Sequence, residues 1–445
     1  MMFHLHEILC TIIIKYLEFY DKHTYMRISK FTNRIHIIDL FDVDRKYLRK
    51  LNDDILRKYK FVVRLNAENT HKITVVNHMI KLKELNAGGC CGINDSGIKN
   101  INLEKLDATN NGFITDVNHM TNLKVLNACD ICGINDYGIK NINPEILDAS
   151  NNTLITDVNH MTNLKVLNAN GECGIDDNCI KNINLEILNA YNNTWITDVN
   201  HMTNLKVLNA SCNCGIGDHG IKNLNLEILN ANNNSSITNI NHMTNLKELY
   251  ACYYSGIDNS GMSNINLEKL DIEDNNKITN VNHMTKLKIL HAGCDCGIDD
   301  HGINNLNLEI LRAYYNAKIT NVNHMTNLEE LDASGNCGID NFGIKDINLR
   351  KLIIHHNTKI NHVNHMTKLK ELDASGTSNL GDDGISNINL EKLDASSNPN
   401  ITNVNHMTNL KELLAIGRTC GIGNDGIKNI NLNLLYAIDN LKISK

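Results

Sequence analysis

From about residue 62 onward, the apolar residues of this chain fall into two alternating templates of 21 and 20 residues, which together repeat every 41. The longer reads, from Leu123, L-K-V-L-N-A-C-D-I-C-G-I-N-D-Y-G-I-K-N-I-N, and the shorter, from Pro144, P-E-I-L-D-A-S-N-N-T-L-I-T-D-V-N-H-M-T-N. Each opens on an alternation of period two, which predicts a short strand with Leu126 and Ala128 inward and Val125 and Asn127 toward solvent. Past the strand, Ile114, Val117, Met120 and Leu123 recur at every third residue. That spacing predicts a tight, 3₁₀-like segment rather than a long α-helix. The tripeptide Asn-His-Met marks the period nine times without insertion, at His78, His119, His160, His201, His242, His283, His324, His365 and His406. So strict a period predicts stacked coils of one solenoid, each burying its apolar side against its neighbours.

Both templates resemble the leucine-rich repeat pattern L-x-x-L-x-L-x-x-N-x-L, with Ala in place of the third Leu. Nineteen such units run from near Val62 to near Ile443. The resemblance implies an α/β solenoid: an arc of about nineteen coils with a parallel sheet on its concave side. Strands spaced ~4.8 Å apart would make that sheet on the order of 90 Å long. The domain reading is a helical segment over 1–60, followed by a repeat solenoid over 61–445.

Three ladders of identical residues run through the array. Asparagine holds the ninth position in alternate units, at Asn111, Asn152, Asn193, Asn234, Asn275, Asn316, Asn357, Asn398 and Asn440. Stacked, buried amides there would satisfy backbone groups where the chain leaves the strand. The nine histidines lie between inward-facing Val and Met and should point outward on the convex side. Equivalent residues two coils apart stand roughly 10 Å from each other, too far to share a metal. The same spacing forbids disulfides within the ladder Cys91, Cys132, Cys173, Cys214, Cys296, Cys337 and Cys420, which reads as small apolar thiols under a turn. Local pairs such as Cys129-x-x-Cys132 lack a second pair at zinc-finger spacing. No metal or cofactor is expected.

On the concave side, the second position of successive strands alternates in sign: Lys83, Glu104, Lys124, Glu145, Lys165, Glu186 and onward to Glu309. Adjacent strands place these charges side by side, so the sheet neutralises itself laterally and offers no groove for nucleic acid. Position three carries a β-branched stripe, Val125, Ile146, Val166, Ile187, Val207 and Ile228. An apolar patch of that length marks a partner site, against a plain reading of β-propensity. Position five is Asn or Asp in 13 of 19 units, and the exceptions fall late: Tyr250, His291, Arg312, Ile353, Leu414 and Tyr436. Tyr314 lies close by. Where a copied repeat breaks its own rule with aromatics and Arg, interface chemistry is the functional reading and drift the bland one.

The bulk properties add little against this. A net charge of -7 over 445 residues gathers neither nucleic acid nor anionic lipid. The apolar run from Leu5 to Leu17 is broken by His6, Glu7 and Lys15 and is too short to span a bilayer. With no export signal, the fourteen cysteines read as reduced thiols of a cytoplasmic or nuclear protein. There is no phosphate-cradling glycine loop, no Gly-x-Ser-x-Gly and no His-Glu-x-x-His. With no convergent constellation of unlike residues either, catalysis is not expected. The final strand, bearing Leu434 and Tyr436, has no recognisable polar cap, which suggests self-association through that coil.

Residues 1–60 lack the repeat and predict short helices over 7–19, 21–35 and 45–59. The stretch H-L-H-E-I-L-C-T-I-I-I-K-Y-L-E-F-Y-D resembles an F-box, with Glu7, Ile8, Ile12, Ile13 and Leu17 at matching positions. Asp21, Ile28, Ser29 and Lys30 continue the match. Leu5 stands where the family has Pro, and one residue is inserted before Leu17. The other reading is a helical cap sealing the first coil. An F-box joined to leucine-rich repeats resembles the substrate-recruiting subunits of cullin-type ubiquitin ligases, which implies adaptor docking through those five residues and a protein partner on the concave face. The Cys-Gly-Ile units look like the repeats of those receptors. The Ile-Thr-Asp-Val units look more like bacterial internalin repeats, and a stand-alone scaffold is the alternative.

Overall fold

The computed structural model describes residues 38–43 and 50–444. Twenty strands, all parallel, are present among them, with about nineteen turns of solenoid. The chain divides into two compact units, Met1–Ile216 and Gly217–Lys445. The first holds nine strands, from Ile38–Leu40 to Val207–Asn209, and the second eleven, from Ile228–Asn230 to Leu434–Tyr436. Within each unit the register is one-to-one: Leu126 pairs with Leu147 and Leu147 with Leu167, as Leu270 does with Leu290 and Leu290 with Leu311. The strand Ile38–Leu40 precedes the first recognisable repeat and pairs with Val62–Asn66 through one irregular step. The helices expected over 7–19 and 21–35 lie outside the described residues, and within 45–59 one turn of helix, Asp53–Leu56, is present.

The alternation read from the sequence is the one observed. Leu126 and Ala128 are fully buried, while Val125 and Asn127 keep part of their surface. Burying one such leucine stabilises the fold by about 1.5–3 kcal/mol, and the same site recurs in every coil. Beyond the strand, the Met120 amide donates to the Val117 carbonyl at 2.9 Å and the Leu123 amide to Met120 at 3.0 Å. These consecutive three-residue hydrogen bonds are the tight winding that the every-third-residue spacing predicts.

Most of the longer templates instead insert a four-residue helix, Asp136–Ile139 being typical. Asn135 caps it by accepting from the Tyr137 and Gly138 amides, the expected role of an Asn in extended backbone before a helix. Gly138 is required by close approach, because a Cβ there would stand 1.9 Å from the Thr115 carbonyl oxygen. Asp136 then reaches into the following coil, accepting from the Thr156 amide at 2.7 Å and the Asp157 amide at 3.1 Å. Each helix is thus tied to the coils on both sides.

The asparagine ladder is the inner counterpart of these ties. Asn152 is buried and donates to the carbonyls of Ala128 (2.6 Å) and Ile134 (3.2 Å), while accepting from the Leu154 amide at 2.8 Å. Asn357 does the same with Ala333, Ile339 and Lys359. One side chain therefore satisfies three backbone groups that would otherwise be buried unpaired.

Candidate functional site on the open face of the sheet

Within each unit the third, fifth and seventh positions of successive coils fall on one open face of the sheet. In the first unit the fifth column is regular, Asn or Asp in each coil, and the third is β-branched over five successive strands. Val125, Ile146, Val166, Ile187 and Val207 pair in unbroken register, with Ile146 and Ile187 38% and 39% exposed. Ile228 takes the same position in the first strand of the second unit. The fifth column largely satisfies itself: Asn168 donates to Asp148 at 3.1 Å, and Asp148 also accepts from the Ser150 amide at 3.0 Å. Beside it the alternating charges close laterally, with Lys83 on Glu104 at 2.7 Å and Lys165 on Glu145 at 3.0 Å. The second unit repeats this with Lys247 on Glu227 and Lys370 on Glu391, and Lys392 pairs with Glu412 in the third column.

In the second unit the fifth column breaks over four consecutive strands, placing Tyr250, Asp271, His291 and Arg312 in mutual register. Tyr250 is fixed by its neighbours: its hydroxyl donates to Glu248 at 3.1 Å and accepts from Lys269 at 2.8 Å, and the Lys269 ammonium sits 4.9 Å from its ring centre. His291, expected as a surface contact, is instead only 9% exposed, with Nδ1 3.1 Å from Asp271 Oδ2. Cys252 donates its thiol to the other oxygen of Asp271 at 3.0 Å. Burial opposes ionisation of Asp271, but the hydrogen bonds from His291 and Cys252 outweigh it and hold this carboxyl below the usual aspartate value. Burial, reinforced by Asp271, pushes the Cys252 thiol upward.

Column seven supplies the rest. Glu273 follows Asp271 by two residues on the same face, and Gly293 and Tyr314 follow in the next two coils. A Cβ on Gly293 would meet the Tyr314 ring at 2.8 Å. The bare glycine lets that ring lean across one strand, so that its hydroxyl reaches Glu273. Burial first, and that hydrogen bond second, push the tyrosine pKa upward. Tyr315 meets Tyr314 edge-on at 6.3 Å. Arg312 is exposed beside this group.

Backbone strain collects in the same coils. The eighth position adopts a left-handed conformation throughout, and in the first unit it is Asn, Asp or Gly except at Cys212. In the second unit Tyr253 (φ 57°) and Tyr315 (φ 56°) take it. A bulky residue there costs about 1–2 kcal/mol. Further along, the His355 and His356 rings meet edge-on with centres 4.0 Å apart, and His355 Nδ1 lies 2.7 Å from the Ser375 hydroxyl. Ile353 and Leu414 break the column without forming a polar cluster, and Tyr436 is half-exposed in the last strand.

The sequence reading found no convergent constellation. The structure corrects that: Asp271, Glu273 and His291 bring one ligand-type atom each to within 4.8 Å of one another. They are 20 residues apart or less, and the register that joins them was already legible from the repeat. An ordinary Asp at position five acquires an unusual neighbour in its own column, His291, and another in column seven, Glu273.

The two other ladders are structural, as expected. His119 is exposed on the outer side, and its Nε2 stands 3.0 Å from the Ile98 carbonyl, so this nitrogen carries the proton and ties one coil to the one before. His365 does the same with Ile344 at 2.9 Å. Cys91, Cys132, Cys173 and Cys214 are buried and unpaired, and so are Cys296, Cys337 and Cys420. Burial pushes the Cys132 and Cys296 thiols up to about 12, which leaves them inert. Glu7, Ile8, Ile12, Ile13 and Leu17 lie outside the described residues.

No protein-family model matches this chain, and neither does any curated protein. Solved structures do. The chain is similar to a TLR13 structure determined as a complex with the RNA ssRNA13, at 19% identity over 85% of this chain and 64% of that one, with a TM-score of 0.56. It is also similar to the functional domain of InlJ from Listeria monocytogenes, described as including a cysteine ladder, at 19% identity over 81% and 60% of the two chains (TM-score 0.26). A third is the Rad7 and Elc1 complex in yeast, at 16% identity over 80% and 85% (TM-score 0.31). The chain thus spans less than two thirds of the first two. The fold is a leucine-rich repeat solenoid. Among the described residues, no helix is long and apolar enough to cross a membrane.

Proposed function

We propose that this protein is a protein-interaction module whose partner docks on the open face of the sheet in the second unit, against Tyr250, His291, Arg312 and Tyr314. The observation that carries this is the break in the fifth column, where rings and an arginine replace self-satisfied Asn and Asp and bulky residues accept left-handed strain. Tyrosines held by their neighbours and an exposed Arg are groups from which interface hot spots are built. Ile228 and the half-exposed Tyr436 are secondary contacts in the second unit, and the stripe Val125, Ile146, Val166, Ile187 and Val207 is a separate candidate contact in the first. Lateral pairing of Lys with Glu and a net charge of -7 favour a protein over a nucleic-acid partner.

The finer reading is that residues 1–60 dock a ligase adaptor through Glu7, Ile8, Ile12, Ile13 and Leu17. The protein is then the substrate-recruiting subunit of a cullin-type ubiquitin ligase in the cytoplasm or nucleus. Its support is the F-box-like pattern of those residues. A pull-down from eukaryotic lysate tests it, comparing the full chain with Ile12→Asp and Ile13→Asp. Adaptor and cullin should co-purify with the parent chain and be lost from both variants. Their absence from the parent chain leaves the stand-alone scaffold as the better reading.

A further inference from the structure

The cluster at the break has a chemistry of its own. Asp271 closes the strand Lys269–Asp271, and His291, which closes Ile289–His291, is its direct partner in the ladder. Glu273 turns to the same face two residues later. Among the described residues, no other group of three His, Cys, Asp or Glu side chains meets in this way. The His291 and Asp271 side chains retain only 11% and 16% of their exposure. Two carboxylates held this close favour a cation between them.

We propose that Asp271, Glu273 and His291 bind one divalent transition-metal ion of the zinc class. The donor set is two carboxylate oxygens and one imidazole nitrogen, which suits zinc and its neighbours. Calcium and magnesium prefer all-oxygen shells, so His291 discriminates against them. Metal–ligand bonds of about 2.0–2.2 Å place ligand atoms about 3.4 Å apart in a tetrahedron. The three side chains, with donor atoms within 4.8 Å of one another, therefore need only a small inward closure. In that closure the Asp271–His291 hydrogen bond is exchanged for two bonds to the metal.

A supporting ring is already in place. The Cys252 thiol holds Asp271 Oδ1 at 3.0 Å, and the Tyr314 hydroxyl, leaning over Gly293, holds Glu273. Outer partners of this kind orient metal-binding carboxylates and typically affect affinity by 10–100-fold. Three protein ligands leave the fourth position open to the face on which a partner would dock. Water fills it in the free protein, and a carboxylate or imidazole of the partner can replace that water. The site stands whether or not the ubiquitin-ligase reading does.

The test uses the full chain, stripped with a chelator and titrated with Co²⁺, whose ligand-field bands report a protein-held ion, and then with Zn²⁺ as competitor. The parent protein should take up one equivalent of Co²⁺ with visible bands that Zn²⁺ abolishes. His291→Gln and Glu273→Gln should each weaken binding at least tenfold, and Tyr314→Phe about tenfold. His119→Gln, on the outer ladder, should bind as the parent does. Far-UV circular dichroism checks each fold, and the half-exposed Glu273→Gln keeps the test decisive should His291→Gln fail to fold. No saturable Co²⁺ uptake by the parent overturns the proposal, as does unchanged binding by Glu273→Gln or equal loss in His119→Gln.

Discussion

The open face of the first unit and the middle of the second are built from one template yet do opposite things with it. Around Asp148 and Asn168, the fifth column is answered by like residues: Asp148 accepts from Asn168 of the next copy and from the Ser150 amide of its own coil. Around Asp271, the neighbours are unlike: a thiol, an imidazole, a second carboxylate and a phenol reached across a glycine. Buried Leu and Asn positions beneath both regions are the same. A solenoid therefore keeps its inward positions constant for stability, and its outward columns are free to change coil by coil. Function is to be sought where those columns stop repeating.

The first way to break this comparison is to show that the frame is not common to both regions. Asn152→Ala in the first unit and Asn357→Ala in the second each strip two carbonyls and one amide of their partner. Leaving buried groups unpaired should cost about 3 kcal/mol or more in either place. Because long repeat arrays do not unfold in one step, hydrogen exchange of the adjoining coils is the proper measure. Similar loss of protection in both units supports the shared frame. Protection lost at only one would mean that the two ladders do different work.

The second contrast concerns binding. Tyr314→Ala removes a ring held in the irregular cluster, whereas Val166→Ser changes one member of the regular stripe. Once a partner is in hand, a hot-spot ring should account for about 2 kcal/mol, roughly a thirtyfold loss of affinity, and the valine for much less. Titration calorimetry against that partner reads both. If Val166→Ser proves the more damaging, the docking surface belongs to the first unit.

A finer contrast uses two glycines at the same repeat position. At Gly293 an added methyl meets the Tyr314 ring at 2.8 Å, while at Gly88 its nearest contacts are 3.2 Å away. Gly293→Ala should push Tyr314 off Glu273 and cost about 1–2 kcal/mol through overpacking and a lost hydrogen bond. Gly88→Ala should be close to neutral. Thermal midpoints and the tyrosine fluorescence of the two variants distinguish them, because the first should shift both and the second neither.

How much of this was legible beforehand follows the same division. Strand positions, inward and outward faces, the every-third-residue turns, the buried amides and the lateral charge pairs all came from periodicity, because a repeat states its own register. The four-residue helix at Asp136–Ile139 was less visible, since its signal is a cap residue and one obligatory glycine rather than an apolar stripe. At the site, Tyr250, His291 and Arg312 stand out in the sequence as departures from a column, with Tyr314 close by. Their partners Asp271, Glu273 and Cys252 do not, because an Asp at position five looks ordinary until the columns beside it are read together. That His291 turns inward to Asp271 depends on side-chain packing, which a one-dimensional pattern does not carry.

The smallest effect expected is also the most repeated feature. Lys165 with Glu145 in the first unit and Lys247 with Glu227 in the second bridge neighbouring strands at 3.0 and 2.7 Å. Hydrogen bonding to Lys165 lowers the Glu145 pKa, so the pair contributes stability above the ordinary glutamate value and loses it as pH falls through the lowered one. Both partners are solvent-exposed, and water and salt screen most of that contribution. Lys165→Ala and Lys247→Ala should therefore leave the thermal midpoint at neutral pH unchanged within error. Any difference from the parent should be confined to low salt and should vanish once the glutamates are protonated. A clear destabilisation at neutral pH and high salt would show that the charge ladder holds the coils together. The regular face would then be a structural element in its own right, and the contrast with the irregular one would have to be redrawn.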